Sequence, residues 1–393
     1  MDNSGDKFDV IVIGAGIMGS STAYELAKRG HKTLLLEQFD FLHHRGSSHG
    51  ESRTIRATYT KNYYVGMVME SSKLWQEVES QIGYKVYFKA SQFDMGPSDD
   101  KHLHAIITNC ESNSLPHQIL GRREVSEKFS GTIDLPENWI GVSTELGGVI
   151  KPTKAVSMFQ TLALQEGAIL RDYMEVSDIK RDEATDGILV YTSNGKKFWG
   201  KKCVVTVGAW MKKLVKSVSG LVLPIQPLDV TVCYWKIKEG HEADFAIGGD
   251  FPTFSSHGEP HVYGTPSLEF PGLIKIVVHG GYPCDPDKRS WTQEVILSSQ
   301  KQWIRERFSG LVDSDGPVVT QSCMYSMTPD EDYVIDFLGG EFGKDVVIGG
   351  GFSGHGFKMA PLVGRVLADL VLTGEARGVE LKHFGVGRFE GNP

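Results

Sequence analysis

The segment DVIVIGAGIMGSSTAYELAKRGHKTLLLEQ, residues 9 to 38, leaves few folds open. Asp9 to Ile13 is a short β-branched run, and in the helix signal that follows it Ala23, Leu26 and Ala27 recur at helical spacing. Gly30 closes that helix, and HKTLLLEQ brings a second buried strand that ends at Glu37. Strand, helix and strand form a βαβ unit, which is parallel and right-handed. Between the first strand and the helix, Gly14, Gly16 and Gly19 have the spacing GxGxxG. The first glycine allows the tight turn, the second lets backbone approach a pyrophosphate, and the third lets helix and sheet pack closely. The phosphate charge then rests on the helix N-terminus. Glu37 is placed to accept from a ribose hydroxyl. A glycine turn in a ligand-free α/β domain would leave Glu37 without a purpose, so this half of the chain reads as dinucleotide-binding. The motif does not separate FAD from NAD.

The remaining residues supply more than one such unit. At 393 residues the chain exceeds what a single compact core holds, so two joined domains are expected. Residues 64 to 82 read as an amphipathic helix, and YKVYFKASQFDMG alternates like an antiparallel strand. PTKAVSMFQTLALQE is a second helix with Pro152 at its first turn, and SNGK marks a hairpin before the buried strand KCVVTVGAW. DVVIGGGFSGHGFKMAPLVGRVLADLVLTG gives another strand, glycine-rich turn and helix, so the dinucleotide domain is assembled from discontinuous segments. The stretch from about Val222 to Cys323 is richer in aromatics and short alternating strands. The expected fold is α/β: a Rossmann-type domain from residues 1–88, 148–218 and 322–393, with a second, mixed or antiparallel-sheet substrate domain from 89–147 and 219–321.

A formal net charge of −8 gives no reason to bind nucleic acid or an anionic membrane. No stretch approaches the roughly 18 apolar residues of a spanning helix. The five cysteines are scattered, with no CxxC and no zinc spacing, which reads as reduced thiols in an intracellular setting with no metal site. His43 and His44 read as loop residues. MDNSGDKFDV lacks the apolar region of a signal peptide, and the final RFEGNP is not a peroxisomal tripeptide.

The loop RGSSHGESRTIRATY, residues 45 to 59, crowds three arginines, which by themselves read equally as a solvated basic loop or as a segment that holds an anion nearby. Arg53 and Arg56 are three apart and share a face if the segment is helical. GAGIMG, RGSSHGESRTIR, VTVGAW, SCMYSMTPDEDYVID and GGGFSGHGFK, in that order, resemble the sarcosine oxidase and L-pipecolate oxidase family of monomeric flavoproteins. The resemblance runs from Phe8 to about Phe389. RGSSHG is closer to the eukaryotic members, since bacterial ones carry a second histidine where this chain has Ser48.

The resemblance implies an FAD-binding fold of the D-amino-acid-oxidase type and a flavin held through a thioether by Cys323. Such a bond prevents dissociation and makes the flavin a stronger oxidant. Beyond the three glycines and Glu37, it implies cofactor contacts from Gln38, Ser47, Ser48 and Arg53, from Val176, Gly208 and Trp210, and from Met324, Gly354, Gly356, Phe357 and Lys358. Arg56 and Lys358 would clamp the substrate carboxylate, with Tyr263, Tyr325 and His279 lining the pocket near the amine. Lys275 would stabilise the charge that develops on O2, and His49 and Arg53 would set a positive field at the flavin. The implied reaction takes a small secondary amino acid and O2 to an imine, or to its hydrolysis products, and hydrogen peroxide. Sarcosine and L-pipecolate both fit the clamp. The implied enzyme is a monomer, and eukaryotic members of the family reside in peroxisomes. Two other readings stay open: a dehydrogenase with a different electron acceptor, which requires Lys275 away from the flavin, and a non-catalytic flavoprotein.

Overall fold

The structure, a computed structural model, describes residues 7–289 and 297–389. The ends of the chain read above for targeting signals, residues 1–6 and 390–393, lie outside the described residues, as do residues 290–296 of the 219–321 segment.

The strand Lys7–Ile13 lies inside an eight-stranded sheet, counted among the described residues. It pairs in parallel with Lys197–Val205 on one side and Thr33–Leu36 on the other, so that Ile13 faces both Val205 and Leu36. Its neighbours are helices on one face, and on the other a hairpin with the helix Met211–Ser219. Val10 and Val12 therefore enter one apolar cluster while Ile11 and Ile13 enter another. A strand buried on both faces reads as an unbroken apolar run, which is why VIVI does not alternate with polar residues. The helices Ile17–Lys28, Pro152–Gln165 and Ala360–Thr373 cover the first face together. Val346–Gly350 extends the parallel set beyond Lys197–Val205.

Two glycines in the first turn are fixed by close approach. Gly14 has φ +93°, and a Cβ there would lie 2.6 Å from the Thr206 carbonyl oxygen. A Cβ on Gly19 would lie 1.8 Å from the carbonyl oxygen of Gly14. Gly14→Ala therefore meets an overlap with backbone and a positive φ that itself costs about 1–2 kcal/mol. The expected result is a protein purified with little or no yellow colour, read from its visible-to-ultraviolet absorbance ratio; a normally loaded variant would mean that the turn relaxes.

The second sheet has ten strands among the described residues. Its long members Tyr87–Pro97 and Trp139–Ile150 run antiparallel, and Thr253–Ser256 adds to the first of them in parallel. Phe93, Phe254, Trp235 and Trp303 form the centre of its core. One strand placed with the first domain by sequence, and another of which residues 322–327 were so placed, hydrogen-bond here instead. Arg53–Arg56 pairs with Trp139–Ile150, and Val319–Met327 pairs with Gln226–Lys236, with Cys323 opposite Val230. Both strands leave loops that touch the first sheet. The chemistry-bearing residues on them consequently lie along the seam between the two layers. Local pattern announces such strands, but long-range pairing decides which sheet they join.

Candidate active site

A cavity of about 440 Å³ runs along the first sheet's glycine turn to the strand that holds Cys323. Gly14 and Gly16 line it at the N-terminus of helix Ile17–Lys28, and Glu37 and Gln38 line it beyond the end of Thr33–Leu36. The Glu37 carboxylate is aimed by the backbone: Oε2 accepts from the Ala15 amide at 2.8 Å and Oε1 from the Phe39 amide at 3.2 Å. Ser48 Oγ accepts from the Ile17 amide at 3.1 Å, which satisfies one of the unpaired donors of the helix's first turn. Ser47, Val176, Gly208 and Trp210 form the walls, and Met324, Gly354, Gly356 and Phe357 close the end at Cys323. A glycine cradle at a helix N-terminus, a carboxylate near one end and a thiol at the other suit a long dinucleotide, and the volume falls in the range of small-molecule sites, about 300–1,000 Å³. The residues present fit FAD. Gly19 lies under Gly14 rather than on the wall, where its missing Cβ permits the turn.

A second cavity, of about 420 Å³, adjoins the first and shares Arg53, Cys323, Tyr325, Gly354 and Phe357 with it. Arg56, Lys275, Lys358, Tyr263 and His279 line this second cavity alone. The spacing of the two arginines acts differently from a helical reading. Residues 53 to 56 are a strand, so positions three apart lie on opposite faces. Arg53 thereby reaches the shared boundary and Arg56 only the substrate side.

Arg53 is fixed by carbonyls. It donates to Ser47 O at 2.9 Å, His49 O at 2.7 Å and Ser52 O at 2.8 Å, which leaves its guanidinium 3.4 Å from Cys323 Sγ. Lys275 is 3% exposed, donates to Ser52 O at 3.1 Å and lies 5.6 Å from the centre of the Tyr263 ring. Burial, with the Arg53 charge adding to it, pulls its pKa down to about 7. Tyr263 and Tyr325 share a hydrogen bond of 2.9 Å between their hydroxyls, and burial pushes Tyr263 up to about 12. The His279 ring lies 5.5 Å from that of Tyr325, and burial lowers its pKa. Arg56 donates to the Thr58 carbonyl and lies over the Tyr59 ring at 4.9 Å. Lys358, 6% exposed, donates to Tyr59 Oη at 3.1 Å and His355 O at 3.2 Å. Among the described residues, none of these four cations is ion-paired with a carboxylate. Lys275 and Lys358 are buried and Arg53 and Arg56 half-buried, and positive charge held there without a partner is costly, so the arrangement suits an anion from outside.

His49 takes a place apart from the other expected site residues. It lines neither cavity, its Nε2 is buried with no hydrogen-bond partner, and burial together with Arg53 brings its pKa down to about 3. It is therefore neutral, and its contribution is the carbonyl that holds Arg53.

Residues 9–370 match the family model described as FAD dependent oxidoreductase. A probable sarcosine oxidase of Arabidopsis thaliana is 66% identical over 397 aligned positions, covering 100% of this chain and 95% of that protein. The chain belongs to the sarcosine oxidase family of FAD-dependent oxidoreductases. A peroxisomal sarcosine oxidase of Homo sapiens is 36% identical, with 98% of this chain and 97% of that protein covered. Among solved structures, L-proline dehydrogenase from P. horikoshii superposes with a TM-score of 0.83 at 25% identity, over 98% of both chains. The fold is that of this family: an FAD-binding sheet with a substrate domain beside it.

Several wall residues were not singled out in the sequence. His261 lines the substrate cavity with Tyr263 but precedes the strand Val262–Thr265, so strand alternation does not announce it. His355 lies inside the GGGFSGHGFK motif. His43, read as a loop residue, lines the cofactor cavity and sets Nε2 3.3 Å from Glu37 Oε1. The pair His257 Nε2 and Asp94 Oδ1, 3.1 Å apart at the substrate cavity's wall, joins positions far apart in the chain, and nothing local announces it.

Proposed function

We propose that this chain is an oxidase of small secondary amino acids, with sarcosine the first substrate to try, that holds FAD covalently through Cys323. The observation that carries the reading is the meeting of the two cavities at Cys323 and Arg53, with Arg56 and Lys358 unpaired on the substrate side. Bound along the first cavity, FAD supplies an acceptor for a hydride from the carbon next to nitrogen and a donor of electrons to O2. The Arg53 guanidinium, 3.4 Å from Sγ, fixes the sulfur where the two cavities meet. Arg56 and Lys358 fix the carboxylate, which limits the positions the C–H bond can take. Tyr263 and Tyr325, joined through their hydroxyls and held in their neutral form, offer faces and a hydroxyl to the amine without adding charge.

Lys275 is buried beside the shared boundary, where a cation stabilises negative charge developing on oxygen. Its place supports an oxidase over a dehydrogenase, and peroxide yield separates the two. We further propose a monomer, with peroxisomal residence by analogy with the human relative. No helix among the described residues is long and apolar enough to cross a membrane.

Acid denaturation tests the covalent link. Yellow colour is expected to stay with the polypeptide and to leave it in Cys323→Ala, while sarcosine or L-pipecolate bleaches the flavin and yields peroxide. Colour that washes out of the wild type would refute the thioether, and a flavin that neither amine bleaches would refute the substrate class.

A further inference from the structure

Lys358 is tied in place more firmly than a carboxylate clamp requires. Its backbone carbonyl accepts from Ser71 Oγ at 2.6 Å and from Trp75 Nε1 at 2.9 Å, both from the helix Asn62–Ile82. Its Nζ donates to two neutral oxygens, Tyr59 Oη and the His355 carbonyl. Beyond Tyr59 the network has a fixed direction. His355 Nε2 lies 2.9 Å from the Glu331 carbonyl, which only accepts, so Nε2 carries the ring proton. Nδ1 is then an acceptor, with Tyr59 Oη at 3.1 Å and Tyr333 Oη at 2.9 Å. Tyr59 can donate to His355 while accepting from Lys358, and with the bond to the His355 carbonyl this order needs only the two N–H groups of a neutral lysine amine. The charged groups that face Nζ work against protonation: Arg56 is the nearest cation, and the buried His279 and His355 are held neutral. Burial and Arg56 keep Lys358 well below the usual lysine range.

A free secondary amino acid in neutral water is a zwitterion, and its ammonium has no lone pair with which to assist loss of hydride from the neighbouring carbon. The reaction needs the amine. We propose that Lys358 is the proton acceptor of the site: as the zwitterion binds, one proton leaves the substrate nitrogen and one is gained by Nζ. The product of binding is a neutral amine and a lysinium–carboxylate ion pair, with no net change in bound protons. The carboxylate drives the exchange because it supplies the anion that a buried lysinium lacks. Tyr59 and His355 are positioning residues, which present an oxygen lone pair to Nζ and keep it aimed into the cavity. This assignment rests on the amino acid oxidase reading of the same cavity.

Proton counting tests it without turnover. Methoxyacetate is sarcosine with oxygen in place of the N–H group, so it brings a carboxylate and no ammonium. Titrated calorimetrically into the FAD-loaded enzyme at pH 8, in two buffers of different ionisation enthalpy, it is expected to take up close to one proton per molecule bound. Lys358→Arg keeps a cation but cannot be neutral, and its uptake is expected to fall to near zero with binding retained. In that variant the substrate must lose its proton to solvent, so the anaerobic bleaching rate at low sarcosine should climb about tenfold per pH unit toward the amine's own pKa, more steeply than in the wild type. Lys275 is the other buried lysine near the cavity; Lys275→Met is expected to leave the uptake in place. Tyr59→Phe removes an acceptor from the lysinium and should move the low-pH onset of uptake downward, which a purely structural role would not do. Wild-type binding with no uptake, or uptake lost in Lys275→Met and kept in Lys358→Arg, would overturn the assignment. Uptake of a proton with no bleaching by any secondary amino acid would leave it standing and refute the oxidase reading.

Discussion

Lys275→Met is expected to slow reoxidation by O2 about 10²–10³-fold, the loss that follows removal of one preorganised electrostatic partner from a charged transition state. Bleaching of the enzyme by sarcosine under anaerobic conditions should change only a few-fold, because Lys275 lies 5.6 Å from the Tyr263 ring centre and donates to Ser52 O rather than toward the Arg56 and Lys358 side. Stopped-flow records of the two half-reactions separate these effects; equal slowing of both would reassign Lys275 to substrate binding. Methionine has nearly the same length, so the cavity's shape is kept while the charge is removed.

The same residue gives the activity a pH dependence of known sign. In the resting protein Lys275 titrates at about 7, brought down by burial and by Arg53. With Lys275 acting as the proposed cation in the step with oxygen, the reoxidation rate is expected to fall as pH rises past the lysine's pKa. Negative charge on the cofactor raises that pKa, which puts the falling limb above pH 7. A rate that stays level to pH 10 would mean that the charge is not used. For stability the sign is opposite. An unfolded lysine keeps its proton to about pH 10.4, while this one loses it near 7 in the fold, so the unfolded state binds more protons between those values. Folding stability therefore gains from this group as pH rises through that window, and the burden of a buried ammonium is fully felt below it.

The cofactor half of the molecule was legible because its constraints are local. VIVI, the glycine turn, the helix and Glu37 stand within thirty residues, and each is required by contacts with its neighbours in sequence. The substrate half was legible only where residues fall in motifs that the family shares. Lys275 is an odd residue in an apolar strand, but its exclusion from water depends on Ser52, 223 positions away in the chain, as well as on Tyr263 of the neighbouring strand. The segment of Arg53 and Arg56 reads as a loop from its polar content, and it owes its extended form in the structure to pairing with Trp139–Ile150. His49 was read as a positive group at the flavin, but its burial beside Arg53 makes it neutral, a property no local pattern discloses. Asp94 and His257 meet because Tyr87–Pro97 and Thr253–Ser256, distant in sequence, pair in parallel.

Arg56→Met should be the most damaging change on the substrate side. The wild-type guanidinium is held over Tyr59 and tied to the Thr58 carbonyl, and among the described residues it has no carboxylate within salt-bridge distance, Asp94 acting on it only from farther away, so the anion proposed for it is the substrate. Removing one partner of a buried ion pair leaves the other uncompensated, which costs about 3–5 kcal/mol. At 1.36 kcal/mol per factor of ten, that is a loss of roughly 10²–10⁴ in kcat/KM. Part of the loss should appear in kcat, because a carboxylate held by Lys358 alone can swing and take the C–H bond out of line. Arg56→Lys restores a charge but not the planar fork, so it should recover affinity more than kcat. Reoxidation by O2 should stay near the wild-type rate, since Arg56 is absent from the boundary that Arg53 and Cys323 form. A variant with both half-reactions intact would show that Lys358 carries the carboxylate unaided. Flavin loading is the control: because Arg56 lines only the substrate cavity, the Met variant should purify yellow, and a colourless protein would assign the residue to the cofactor instead.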